Sequence, residues 1–406
     1  SNNITIDGLD NNDDRSSLDR FQPPIDSIAE VQVITNQFSS EYGRAAGARV
    51  NLRTKAGSNK FRGRAFMFFR DDNLNANSWY NNSRGLARLP LTEYNPGFTF
   101  SGPVILPFGE GKSIYNGKNR TFFLLSYDFN NLKDTTQIDT YVPVGFNPQF
   151  ALPVSTGGTA TCDSTSTVTV GGVPTSVCST TPPTAAFVAP YQSTLDTPSV
   201  AHLFTARFDH KLTSNNDMNF VWQLGRRSNK RTTFVTTTRL DEAIQARISK
   251  TDAYNFSDTH IFGSNLINQF RMQYSVYEPS YQVDNTDAAV VLLSYRNPIT
   301  NSRQTLTAGS SSTSGSGADA FAGAIKEIKW QFQDSMSYIA GNHILKFGFD
   351  WQKVESQAVV LTDATGTFNF STVLDYQNNL ISRFRQNFGN ANTVKNDYWG
   401  VFFNDD

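Results

Sequence analysis

Ten runs of this chain alternate apolar and polar side chains, and the gaps between them alternate wide and narrow. In "RTFFLLSYDF", Phe123, Leu125, Tyr127 and Phe129 share one face, while Arg120, Ser126 and Asp128 share the other. In "INQFRMQYSVYE", Phe270, Met272, Tyr274 and Val276 alternate with Gln269, Arg271, Gln273 and Ser275. In "HILKFGFDWQ", Leu345, Phe347, Phe349 and Trp351 alternate with Lys346, Gly348, Asp350 and Gln352. A period of two is a β-strand with two unlike faces. The pattern predicts strands near 61–70, 94–105, 120–131, 201–212, 217–227, 250–262, 265–278, 326–339, 343–356 and 396–405. Wide gaps fall at 71–93, 132–200, 228–249, 279–325 and 357–395; narrow ones at 106–119, 213–216, 263–264 and 340–342. In an up-and-down sheet every second connection lies on the same edge. One edge is therefore expected to carry tight turns and the other large loops, the sidedness of an outer-membrane barrel. The runs are longer than the five or six residues usual for soluble strands, and match the roughly 9–11 that a tilted membrane strand needs.

Composition agrees with two-faced strands. Charged residues make up 17% and aromatics 13% of the 406, yet net charge is −1 and mean hydropathy −0.40. So balanced a charge offers no field to draw in nucleic acid. The longest apolar run, Ala288 to Leu293, is far too short for a membrane-spanning helix. Neither a start Met nor a signal peptide is present, so the expectation is a mature or truncated chain. Trp79, Tyr80, Tyr127, Tyr274, Tyr277, Trp330, Trp351 and Trp399 are candidates for interfacial girdles, core packing being the alternative for each. Residues 153–190 and 305–324 read as surface loops, rich in Ser, Thr and Gly. Cys162 and Cys178 lie in the first of these. A disulfide there would close a surface loop and imply an oxidising compartment; two unrelated thiols are the other reading.

Before the first long strand stands "AEVQVITNQFSSEYGRAAGARVNLRTKAGSN", two short alternating runs joined by small residues. A module this polar and this small needs a wall to pack against, and a wide polar lumen would supply one. Its residues resemble the C-terminal half of the plug of TonB-dependent outer-membrane transporters. The pattern is carried by Ile28, Glu30, Val31, Val33, Tyr42, Gly43, Ala46, Gly47, Val50, Asn51, Thr54 and Lys55, with Ala48 where a second glycine is usual. The stretches "GRAFMFFRDDNLNANSWY", "FSGPVI", "GKNRTFFLLSYDF", "RFDHKL", "GNHILKFGFDWQ" and "WGVFFNDD" are similar to the Oar-like subgroup.

The resemblance implies an all-β protein: an antiparallel up-and-down outer-membrane β-barrel of 22 strands occluded by an N-terminal plug. Residues 1–58 are then expected to form the C-terminal part of the plug, and 59–406 the first ten or so strands. Ten strands do not close a barrel wide enough for a plug, so the chain is expected to be a fragment. The resemblance further implies energised uptake. The TonB–ExbB–ExbD complex would pull on a TonB box that this chain lacks, and an unidentified substrate would bind at extracellular loops. The lipid would be that of the outer membrane of a Gram-negative-type bacterium. A surface-adhesion or protein-export barrel on the same scaffold is the alternative, and a soluble extracellular β-sandwich a third.

Other chemistry finds little support. His202, His210, His260 and His343 lack metal-ligand spacing, and "GEGKS" at 109–113 lacks the first glycine and the helix of a phosphate loop. There is no nucleophile elbow, so neither an enzyme nor a cofactor is expected. Asp7, Asp10, Asp13 and Asp14 read as a solvated acidic turn, with a hard cation as the alternative. Arg44, Arg49, Arg53, Lys55, Glu30 and Glu41 are expected to meet wall charges such as Arg62, Arg64, Asp71 and Asp72 across a wet interface.

Overall fold

The computed structural model describes residues 2–14, 19–35, 40–41, 43, 47–108, 112–143, 161–162, 165–170, 173–178, 187–230, 239–240, 245–283, 289–297, 302–309, 323–360, 363, 366–386 and 390–405. The chain opens with a four-stranded mixed sheet of β1 (Asn3–Ile6), β2 (Leu9–Asp10), β3 (Ile28–Ile34) and β4 (Arg49–Thr54), in the order β2-β1-β4-β3. β1 runs parallel to β4, and the other pairs are antiparallel.

All ten expected long strands are present: β5 (Arg62–Asp71), β6 (Leu91–Pro103), β7 (Thr121–Pro143), β8 (Ser199–Thr213), β9 (Asn216–Asn229), β10 (Gln245–Phe262), β11 (Leu266–Val283), β12 (Gly323–Ala340), β13 (His343–Val360) and β14 (Asn390–Asp405). They pair antiparallel in chain order from β5 to β14. Thr161–Cys162 and Phe187–Asp196 extend the same sheet beside the far half of β7, making twelve strands. One edge carries only the tight turns at 214–215, 263–265 and 341–342, a hairpin of Ile105–Phe108 and Lys112–Asn116, and the passage from β4 into β5. Every wide connection leaves from the other edge, as the gap pattern predicts.

The alternation sorts the two faces of the sheet. Phe347 and Phe349 stand on the outer face, 43% and 39% exposed. A chain of ring contacts crosses that face through Phe204, Trp222, Tyr254, Tyr274, Trp330, Phe332, Trp351 and Trp399, with centroids 4.6 to 6.4 Å apart. The inner face, against which the small sheet lies, is polar. Asn255, Gln273, Gln331 and Gln352 occupy consecutive strands in one cross-strand row of it. Tyr277 departs from the girdle reading: it belongs to the inner face and is buried there. Trp79 and Tyr80 depart too, sitting in a short helix, Trp79–Ser83, in the connection between β5 and β6.

The wide connections also differ from expectation. Segments read as loops form a second, four-stranded sheet of Arg303–Ala308, Val290–Arg296, Thr367–Phe370 and Arg383–Arg385, with a helix Val373–Gln377 capped by Thr372. Its core of Leu240, Leu293, Tyr295, Leu306, Phe370, Val373 and Tyr376 packs on Val142 and Val188 from the long-strand sheet. The reason is length: β7 runs 23 residues and several others 18, well past the apolar belt, so their far halves serve as a platform. Within the first low-complexity segment, Thr165–Val170 pairs with Val173–Cys178. The side chains of Cys162 and Cys178, and with them the disulfide reading, lie outside the described residues.

Candidate functional site

The seam between the small sheet and the inner wall concentrates the polar chemistry of the described residues. The turn from β1 to β2 is Asp7-Gly8, with both residues at positive φ. It brings Gly8 so close to the wall that a Cβ there would stand 3.1 Å from the Arg271 guanidinium. Just beyond it, the Lys329 ammonium donates to Asp10 Oδ2 at 2.5 Å and to the Asn12 carbonyl at 2.8 Å. Gln331 Oε1 accepts from the Asp10 backbone N–H at 2.9 Å. Lys329 is 0% and Asp10 3% exposed, so this ion pair is dry.

A second dry pair lies beside it. Arg20 reaches the Glu327 carboxylate at 3.4 Å, the Glu327 carbonyl at 3.2 Å and Ser275 Oγ at 2.8 Å. Its own carbonyl accepts from Thr251 Oγ1 at 2.6 Å, and its guanidinium lies 5.7 Å from the Tyr277 ring centroid. Next along the chain, Phe21 covers Gly225, where a Cβ would meet the ring at 3.1 Å. A buried charge is held only when its partner and hydrogen bonds are all in place, and removing one side then costs about 3–5 kcal/mol. Lys329–Asp10 meets that condition; in the Arg20–Glu327 pair neither carboxylate oxygen of Glu327 accepts a hydrogen bond.

Around this dry centre the contacts become wetter. Arg207 lies 2.7 Å from Asp209 and 3.6 Å from Asp7, and donates to Thr54 Oγ1 at 2.9 Å. Asp7 in turn accepts from the backbone and the hydroxyl of Thr54 at 2.9 and 2.7 Å. Asp14 accepts from Tyr398 at 2.8 Å. At the rim, Arg64 pairs with Asp26 at 2.8 Å, Lys346 with Glu41, and Arg227 with Gln22. Exposed pairs of this kind contribute about 0–1 kcal/mol each.

Several expectations are corrected here. Asp10 and Asp13 are buried rather than solvated, and the wall supplies Lys329 as the partner of Asp10. Among the described residues no group of three or more His, Cys, Asp or Glu side chains is placed to hold a metal ion. Of the wall charges expected at the seam, Arg64 meets the small sheet. Asp71 and Asp72 instead organise their own loop, on Asn73 and Arg88. Glu30 and Arg53 pair with each other across β3 and β4 at 3.3 Å, and Lys55 donates to the Asp26 carbonyl at 2.7 Å. Ile28, Val31 and Val33 lie on β3, and Val50, Asn51 and Thr54 on β4; Gly43 and Gly47 stand between those strands. Tyr42, Arg44 and Ala46 lie outside the described residues. The dry pairs went unpredicted: Lys329 and Glu327 read as ordinary alternating strand residues, and their partners stand about 300 residues earlier.

At the wide rim, the Arg84 guanidinium stacks 4.1 Å from the Tyr80 ring centroid and meets Asp139 at 2.5 Å. The Asp139 carboxylate, accepting from the Tyr80 hydroxyl, holds that phenol above its usual range. His343 at the opposite edge pairs with Asp405 at 3.0 Å, and His210 with Thr121 at 2.8 Å.

Comparison with known proteins gives this geometry a context. A family model described as "Outer membrane beta barrel domain" matches residues 53–406. The TonB-dependent transporter Oar of Myxococcus xanthus is 34% identical over 65 residues, which are 16% of this chain and 6% of Oar. The outer membrane transporter YddB of Escherichia coli superposes with a TM-score of 0.56 at 10% identity, over 100% of this chain and 46% of YddB. The chain thus spans under half the length of that transporter.

Proposed function

Because the chain belongs to the outer membrane beta barrel domain family, we propose that it forms part of a TonB-dependent transporter of the Oar-like kind, taking up a substrate through a plugged barrel. Its wall lies in the bacterial outer membrane, and its fold is similar to that of TonB-dependent transporters. In the proposal, residues 1–58 are the C-terminal part of the plug and 59–406 a portion of the barrel. The plug pattern is Ile28, Glu30, Val31, Tyr42, Gly43, Gly47, Val50, Asn51, Thr54 and Lys55. TonB, ExbB and ExbD supply the energy, and the substrate, whose chemistry stays open, enters from the wide rim.

The observation that carries this reading is the graded seam. The rim contacts are exposed ion pairs that part at little cost. The centre is the buried Lys329–Asp10 pair, with Arg20 and Glu327 buried beside it, and it holds until something works against it. A passive pore has no use for a polar body held in this way, whereas an energised gate needs a closed state that thermal motion does not open.

The test uses the full-length protein in its own cells. Ser27 is buried against the wall. With Ser27→Cys, a membrane-impermeant maleimide is expected to label the residue while the proton-motive force is present, and to fail after an uncoupler is added. Labelling that is indifferent to the uncoupler overturns energised gating.

A further inference from the structure

The outer face carries a polar island that hydrocarbon does not accommodate. Asp258 on β10 and Asp334 on β12 stand directly opposite Phe270, one on each side of it. One step toward the narrow edge, Asn268 lies opposite His260 and Met336. The side-chain amide of Asn268 donates to Asp334 at 2.6 Å, and that of Asn216 donates to Asp258 at 2.7 Å and meets His260 Nδ1 at 3.1 Å. Apolar residues enclose the island on the same face: Phe256, Met272 and Phe332 toward the wide edge, Phe262, Leu266 and Tyr338 toward the narrow one. The island therefore sits within the aromatic belt, not at its border.

A carboxylate has about four acceptor sites, and one amide donor leaves most of its demand unmet. Lipid chains donate nothing, and acidic side chains at membrane depth ordinarily have a partner. The outer-face cations of these strands do not serve. Arg226, Lys250 and Lys326 stand nearer the wide edge: Arg226 pairs with Asp252, Lys326 with Glu278, and Lys250 lies in register between Arg226 and Glu278. Beside Asp334 a notch of about 300 Å³ opens along the outer-face residues Met336, Phe347 and Phe349, and is lined also by Gly348 and Phe402, which pair in register. It combines one carboxylate with apolar walls, which suits a long side chain with an apolar stem and a cationic tip. A second copy of this chain, docked by a two-fold axis, would set carboxylate against carboxylate.

We propose that the island around Phe270 docks a second membrane-embedded protein, which presents an Arg or Lys to Asp258 and Asp334 within the bilayer.

The experiment places photoreactive p-benzoylphenylalanine at Phe270 of the full-length protein in its native outer membrane. One discrete protein adduct is expected, with an Arg or Lys in the crosslinked peptide identified by mass spectrometry. Its yield should fall by about tenfold or more in the Asp258→Asn/Asp334→Asn variant, the discrimination that a close charge pair supplies. The charge-preserving Asp258→Glu/Asp334→Glu variant should keep it. The same photoreactive group at Phe129, on the outer face of β7, should not form it. Replacing the partner's basic residue with Gln should abolish the adduct while this chain is unaltered, so the result stands even where the Asn variant assembles poorly. Adducts with lipid only, with a second copy of this chain, or of unchanged yield in the Asn variant overturn the proposal.

Discussion

At the scale of single residues, Lys329 decides how firmly the small sheet is held. It is enclosed by Asp10 and the Asn12 carbonyl, and has no water to fall back on. Lys329→Met removes the cation and leaves a buried carboxylate. The loss of about 3–5 kcal/mol corresponds to a fall of roughly 10²- to 10⁴-fold in amide-exchange protection across β1 and β4. Adding Asp10→Asn should restore most of that protection, because the stranded charge goes with it. Hydrogen exchange followed by mass spectrometry checks both variants, and equal protection in Lys329→Met and the parent removes the pair's importance. The sequence shows why such a residue escapes notice. Glu30, Thr54 and Lys55 stand in a recognisable local pattern, but the match between Asp10 and Lys329 exists only once twelve strands have set the register.

At the scale of elements, the faces of the strands were legible and their ends were not. Alternation assigns Phe123, Leu125, Tyr127 and Phe129 to the outer face of β7 because lipid demands an apolar residue at every second position. Beyond Asn131 the same strand reads "NLKDTTQIDTYVP", where buried Leu132, Ile138 and Val142 share their face with Asp134, Thr136 and Thr140, and the simple alternation fades although the strand continues to Pro143. Above the belt, one face packs on the cap and neighbouring segments and neither faces lipid, so an apolar residue at every second position is no longer required. The belt itself makes a measurable claim. In variants keeping one tryptophan, Trp222, Trp330, Trp351 and Trp399 should be quenched by lipids with brominated acyl chains. Trp79, in the connection between β5 and β6, should be quenched instead by aqueous iodide. Iodide quenching of Trp330 and Trp351 would contradict the assignment of that face to lipid.

At the scale of the whole molecule, the unexpected part is the folded body on the wide rim. Its strands Val290–Arg296 and Thr367–Phe370 pair in parallel, Val291 opposite Phe368, across 76 residues that include two full wall strands. A local pattern does not announce a pairing of that kind. Its core nevertheless behaves as a core: Phe370 is buried against Tyr376 with ring planes 89° apart. Phe370→Ala should cost about 3–5 kcal/mol and act on the cap alone. Limited proteolysis should then cut within 290–309 and 367–385 while β8 to β13 stay intact. Simultaneous loss of the wall strands would mean that cap and barrel fold as one unit. The cap draws on segments near residues 140, 188, 240, 293, 306 and 370. An immune system meeting this surface therefore sees a discontinuous epitope. Short synthetic peptides copied from any one of those stretches will raise sera blind to the living cell.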